Sequence, residues 1–158
     1  MLTNEQITTV VERVCKWNEN AGNKPWVIDY KLEDNLFNEE YNEFLEAQKN
    51  WDKIEGLDGV IDMIIVYIWT LYKDNNSIDY IETRISQAFA MSPLTKENKI
   101  RECLEVIKPF VKDFYWAFIH ILDSNDSKFI DWKAIKNEAW KIMKWPNYFK
   151  PDLKPFIK

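Results

Sequence analysis

Glycine is nearly absent from this chain: Gly22, Gly56 and Gly59 are the only three in 158 residues. An all-β chain of this length needs many tight turns, and glycine supplies most of them. The glycine-rich phosphate loops are excluded outright, since neither G-x-G-x-x-G nor G-x-x-x-x-G-K-[ST] can be written with these three positions. Apolar residues make up 46% of the chain and eight are Trp, so there is ample material for one packed core. The expectation is a single all-α domain over residues 1–158.

Apolar spacing locates the helices. Thr3-Asn4-Glu5-Gln6 is a capping-box pattern, and Ile7, Val10, Val11, Val14 and Trp17 follow at helical intervals, giving a first helix to about Asn20. Residues 20–32 hold Gly22, Pro25 and Trp26 and read as a loop. The spacing predicts helices over 33–49, 54–72 and 78–91, of which the 54–72 helix is apolar nearly all round in its second half and therefore central. Another is predicted from Thr95 to about Leu122, with Pro109 kinking or splitting it, and a last one over 131–144 after a loop at 123–127. The segment from Trp145 to Leu153 contains Pro146 and Pro151 and reads as an extended tail.

Other chemistry falls away quickly. One histidine, His120, excludes zinc sites built on His clusters, and no acid stands three residues before it as a di-iron Glu-x-x-His pair requires. Cys15 and Cys103 lie in helical segments and read as free thiols of a reducing compartment. The first six residues offer neither a basic start nor an apolar stretch, so no signal peptide is expected, and the longest apolar run, 63–72, is too short to span a bilayer. A cytoplasmic protein follows, with no membrane association. Net charge is −5, which argues against nucleic-acid binding. The charge is also polarised: residues 31–62 carry ten acids and three lysines, and residues 128–158 carry eight lysines and three acids. An acidic centre with a basic tail suits a metal-bound polyanion.

The acids are placed with some economy. On the second helix Glu40 and Glu43 are i, i+3 neighbours, with Glu39, Glu43 and Glu46 as an adjacent stripe. On the third, Glu55, Asp58 and Asp62 share a face. No Lys or Arg lies between Glu33 and Gln48 or between Ile54 and Tyr72. Asp62 opens directly onto Met63-Ile64-Ile65-Val66, where an acid is costly unless paired or metal-bound. If the two helices pack antiparallel, their acids meet as an all-oxygen pocket, the donor set hard divalent cations prefer. Gly56 and Gly59 inside a helix suggest a place of close approach.

At these residues the chain resembles the all-α NTP pyrophosphohydrolases, the MazG-like and dimeric dUTPase superfamily, whose mark is E-x-x-E on one helix and E-x-x-D on the next. Residues Leu36 to Glu43 are similar to the first helix, with Glu40 and Glu43 as ligands, and Asp62 with its apolar run is similar to the end of the second. Gly59 stands where the family has a Glu, so the third ligand is Asp58, as in an Asp-x-x-x-Asp variant, or Glu55, one turn upstream. The stretch from Lys141 to Leu153 resembles the family's lysine–Pro–Asn–Tyr–Pro–Asp–Leu tail, while residues 78–128 have no counterpart and read as a helical insertion.

The resemblance implies a four-helix-bundle-like, MazG-type fold with additional helices. It also implies Mg²⁺-dependent hydrolysis (Mn²⁺ as a substitute) of a (deoxy)nucleoside triphosphate to the monophosphate and pyrophosphate, by a homodimer or homotetramer. Glu40, Glu43, Asp58 and Asp62 would hold the metal, and Glu39 or Glu43 would take a proton from water. Lys73, Asn137 and Lys144 would hold phosphates, and Trp26 would stack on the base, with Trp51 and Phe37 as competitors. The alternative is a noncatalytic helical interaction module with a degenerate family fold and an acidic partner-binding face.

Overall fold

A computed structural model describes residues 2–90, 95–129 and 147–158. The predicted helix over 131–144, with Asn137 and Lys144, lies outside the described residues, as do Trp145 and Pro146. The described part is all-helical: α1 (Asn4–Asn20), α2 (Tyr30–Lys49), α3 (Lys53–Lys73), α4 (Ile78–Phe89), α5 (Thr95–Ile107) and α6 (Phe114–Asp126). Short 3-10 turns follow at Lys108–Phe110 and Lys154–Phe156. Among the described residues the only extended pairing is an isolated antiparallel bridge between Val111 and Ile157.

Side-chain caps set most of the helix starts. At α1 the capping box is complete: the Gln6 N–H donates to Thr3 Oγ1, and the Thr3 N–H donates to Gln6 Oε1. Asp29 Oδ1 accepts from the Lys31 and Leu32 amides at 3.1 Å and starts α2 three residues before the predicted Glu33. Asp52, Ser77 and Asp113 cap α3, α4 and α6 in the same way. Pro109 splits the long fifth helix rather than kinking it: α5 stops at Ile107, Val111 is extended, and Asp113 starts a new helix. The predicted loop at 123–127 is instead mostly helix, because Arg13 of α1 grips Asp123 and Asp126 at 2.9 and 2.6 Å and holds the last turn of α6 in place.

Helix α3 is the axis of the molecule. Leu57, Val60, Ile61, Met63, Ile64 and Ile68 are fully enclosed, and α1, α2, α4, α5 and α6 all pack on it. The 78–128 stretch is not an appendage, since Ile81, Ile85, Ile100, Ile107, Phe118 and Ile121 join the same buried cluster. Its aromatics divide, with Phe118 buried and Trp116 exposed. Both cysteines are free and buried, and burial pushes each thiol up to about 12. No helix among the described residues is long and apolar enough to cross a membrane.

The α2–α3 hairpin is antiparallel, as its contacts show from end to end. Lys73 pairs with Glu33, the Tyr67 and Phe37 rings meet edge on, Gly59 abuts Phe44, and Gly56 abuts Ala47 and Gln48. A Cβ on Gly59 would lie 3.3 Å from the backbone nitrogen of Phe44 and 3.4 Å from its Cα. Backbone cannot swing aside as a flexible side chain can. Gly59→Leu is therefore expected to destabilise the protein by about 2 kcal/mol, read as a lowered urea midpoint.

Candidate active site

The hairpin brings the predicted acids to one place. Phe44 is buried against Gly59, and the residues just before it on α2, Glu40 and Glu43, face the stretch of α3 that carries Asp58 and Asp62. Glu40, Asp58 and Asp62 are partly buried, and Glu43 is exposed. Desolvation pushes the Glu40 carboxyl up to about 7, reinforced by the charges of Glu43, Glu39 and Asp58. Desolvation likewise raises Asp58 to about 6, with Glu55 and Glu43 adding to it. Asp62 is held well above the usual carboxylate range by desolvation, then by Asp58 and Glu40. Asp62 keeps a solvent-accessible edge, but protein closes around it more tightly than around the other acids.

Glu43 acts on Glu40, Asp58 and Asp62 alike, whereas Glu39 acts only on Glu40 among these. Glu39 and Glu43 also line an outward groove with Asn35, Asn38, Asn42 and Glu46. Glu43 thus belongs to both surfaces and Glu39 to the outer one. Glu46 bonds to Lys49 at 3.1 Å and is held below its ordinary range by that contact. The two candidates for the third ligand separate as well. Asp58 senses Glu43 and acts on Asp62, while Glu55 is exposed and lies 3.9 Å from Lys150. Among the described residues, no three acid, histidine or cysteine side chains form a group able to hold an ion as they are placed. The four carboxylates are electrostatic neighbours rather than a closed cage.

Spacing could not have named the cations that face these acids. Lys128 lowers the raised values of Glu40, Asp58 and Asp62, and Lys150 lowers that of Asp58. Lys128 Nζ donates to Asn125 Oδ1 at 2.6 Å just past α6 and lies over the Tyr148 ring. Lys150 lines a 300 Å³ cleft with Ile54, Glu55, Asp58, Pro151, Asp152 and Leu153. The sequence signal for Lys128 was the net positive charge of the C-terminal segment, and Lys150 also lies within the Lys141–Leu153 stretch.

Lys73 is corrected. Its ammonium lies 2.6 Å from the buried Glu33 carboxylate, which Thr70 also approaches, so it closes the far end of the hairpin instead of reaching toward the acids. Phe37 is 1% exposed and cannot stack on a ligand. Trp26 and Trp51 are each 76% exposed, at opposite ends of the hairpin. The Trp26 N–H donates to the Lys73 carbonyl at 2.8 Å. That places it about 16 Å from Asp62 along the α3 axis. Trp51 precedes Asp52, the cap of α3, at the acid-bearing end, with Lys53 Nζ 4.7 Å above its ring.

No protein-family model, no curated protein and no solved structure matches this chain.

The raised acids fix the sign of a pH dependence. A carboxyl whose folded value exceeds its unfolded one binds more protons in the native state, so stability falls as pH rises through that window. For Glu40 the window runs from about 4.5 to about 7, and for Asp58 from about 3.8 to about 6. Without divalent cations, melting temperature is expected to rise by about 5 °C between pH 8 and pH 5. Glu40→Gln should flatten that rise, as followed by circular dichroism.

Proposed function

We propose that the chain is a divalent-cation-dependent nucleoside triphosphate pyrophosphohydrolase, with a MazG-type bundle as its scaffold. The observation that carries this reading is the convergence of Glu40, Glu43, Asp58 and Asp62 at one apolar hairpin, with two lysines as the cations opposite them. Holding like charges together in a partly desolvated site costs folding free energy. A hard cation offsets that cost, and an all-carboxylate donor set selects Mg²⁺ or Mn²⁺.

Glu40, Glu43, Asp58 and Asp62 would hold the cation. The cluster would close on the cation by rotation of these side chains. Bound there, the cation would neutralise phosphate charge and lower the pKa of a water molecule. Glu43, exposed and adjacent to the other three, would accept the proton from that water. Lys128 and Lys150 would orient the phosphates, and Trp51 is the exposed aromatic nearer the acids. The products would be a nucleoside monophosphate and pyrophosphate. Trp26, Val27, Tyr30 and Leu32 form an exposed apolar patch around the start of α2, which suits a homo-oligomer.

A second reading is a noncatalytic module that offers its acidic face to a basic partner. The outward groove of Glu39, Glu43 and Glu46 with three asparagines favours it. The readings part on turnover. Pyrophosphate release from a panel of canonical and modified nucleoside triphosphates, at millimolar Mg²⁺ and lost with EDTA, is the expected result. Glu43→Gln and Asp62→Asn should each lower the rate by about 100-fold or more while the protein still melts cooperatively. Full activity in either variant removes the site assignment, and no release from any triphosphate favours the interaction module.

A further inference from the structure

The C-terminal segment returns to the bundle as a strap with two fixed ends. At Phe149 the carbonyl accepts from Ser124 Oγ at 2.7 Å and the N–H donates to Ser127 Oγ at 3.3 Å. At the other end Leu153 is 2% exposed, and beyond it Lys112 N–H donates to the Phe156 carbonyl and Lys158 N–H to the Phe110 carbonyl, both at 2.8 Å. Lys150, Pro151 and Asp152 span the gap. Among the described residues their main chain makes one hydrogen bond to the rest of the protein: the Asp152 N–H donates to His120 Nε2 at 3.1 Å. The imidazole is held against Phe149 and Phe156, with ring centroids 5.7 and 5.8 Å away. The same three strap residues form one wall of the cleft whose other wall is Ile54, Glu55 and Asp58.

We propose that His120 is a positioning residue for the acid site: its neutral imidazole fixes the strap through the Asp152 N–H and so sets Lys150 opposite Glu55 and Asp58, and its protonation frees the strap between the two anchors. The chemistry is direct. A neutral imidazole has one acceptor nitrogen, here Nε2, and an imidazolium has none. A protonated His120 would turn an N–H toward the Asp152 N–H, and the contact would become a clash of donors.

Charged groups stand on each element around the ring. Asp123 on α6 is paired with Arg13 of α1. On the strap, the Asp152 carboxylate accepts from the Lys154 N–H, and Lys150 lies toward Glu55. Lys112 stands just before α6, and Glu55 and Asp58 of α3 lie across the cleft. The bearing of this latch on turnover rests on the pyrophosphohydrolase reading; the latch itself does not.

The test is NMR amide exchange on the full chain for wild type, His120→Ala and His120→Gln. The single imidazole gives one Hε1 resonance, so its protonation is read in the same samples. After correction for intrinsic exchange, the Asp152 amide is expected to exchange about tenfold faster once the imidazole is protonated, and in His120→Ala at every pH. His120→Gln presents an acceptor that does not titrate, so protection should persist and its pH dependence disappear. Equal exchange in wild type and His120→Ala, or no change across the imidazole titration, overturns the proposal. If His120→Ala does not fold, the wild-type pH series and His120→Gln decide it. For turnover, His120→Ala should raise KM several-fold with kcat little changed, and His120→Gln should restore it. A latch that behaves as described with no pyrophosphate release refutes the enzyme reading alone, and release with unchanged exchange refutes the latch alone.

Discussion

The structure depends on one backbone contact, Gly59 of α3 against Phe44 of α2. Where that contact forms, the two helices lie too close for a side chain to separate them. Glu40 and Glu43 on α2 and Asp58 and Asp62 on α3, all within about one turn of that contact, are then pressed toward one another. Glu40, Asp58 and Asp62 lose water and gain like-charged neighbours in the same step, and their raised values follow from both. The apolar half of α3 makes the arrangement tolerable, because burial of Leu57 through Leu71 drives the packing that the carboxylates resist.

The hairpin is closed at both ends by unlike means. At the Lys73 end a buried ion pair with Glu33 ties the helices, and breaking such a pair leaves an uncompensated charge in the core. At the other end Gly56 lets α3 approach Ala47 and Gln48, with Ile107 of α5 alongside. A similar device holds α5: the buried Glu97 accepts from the Tyr67 hydroxyl and pairs with Arg84 at 2.5 Å. The acids lie between these fixed ends, nearer the Gly56 end, and Trp26 and Trp51 are exposed beyond them.

Much of this was legible in the sequence, wherever the signal was local. The capping box at Thr3, the central helix behind Asp62 and the break at Pro109 all follow from neighbours within a few residues. The acid faces of α2 and α3 were legible for the same reason, since i, i+3 spacing is a property of one helix. The start of α2 was missed because its cap, Asp29, sits behind a loop with no periodic apolar residue to announce it. Lys73 was misread because its partner, Glu33, is 40 residues away and only the fold brings them together. Lys128 and Lys150 were hidden among eight C-terminal lysines that look alike in sequence, and only tertiary packing singles out these two. His120 was read for what it excluded, since nothing local shows that its ring meets the backbone of Asp152.

We propose that the α2–α3 acids form a site for a hard divalent cation. Electron paramagnetic resonance of Mn²⁺ tests it without assuming a substrate, because the signal of the free aquo ion falls as the ion is taken up. The expected result is uptake by the wild-type chain that Mg²⁺ competes away, and an affinity lower by about tenfold or more in Glu40→Gln/Asp62→Asn, in line with the loss of two charged ligands. Equal uptake by wild type and the double variant, or none by either, would contradict it.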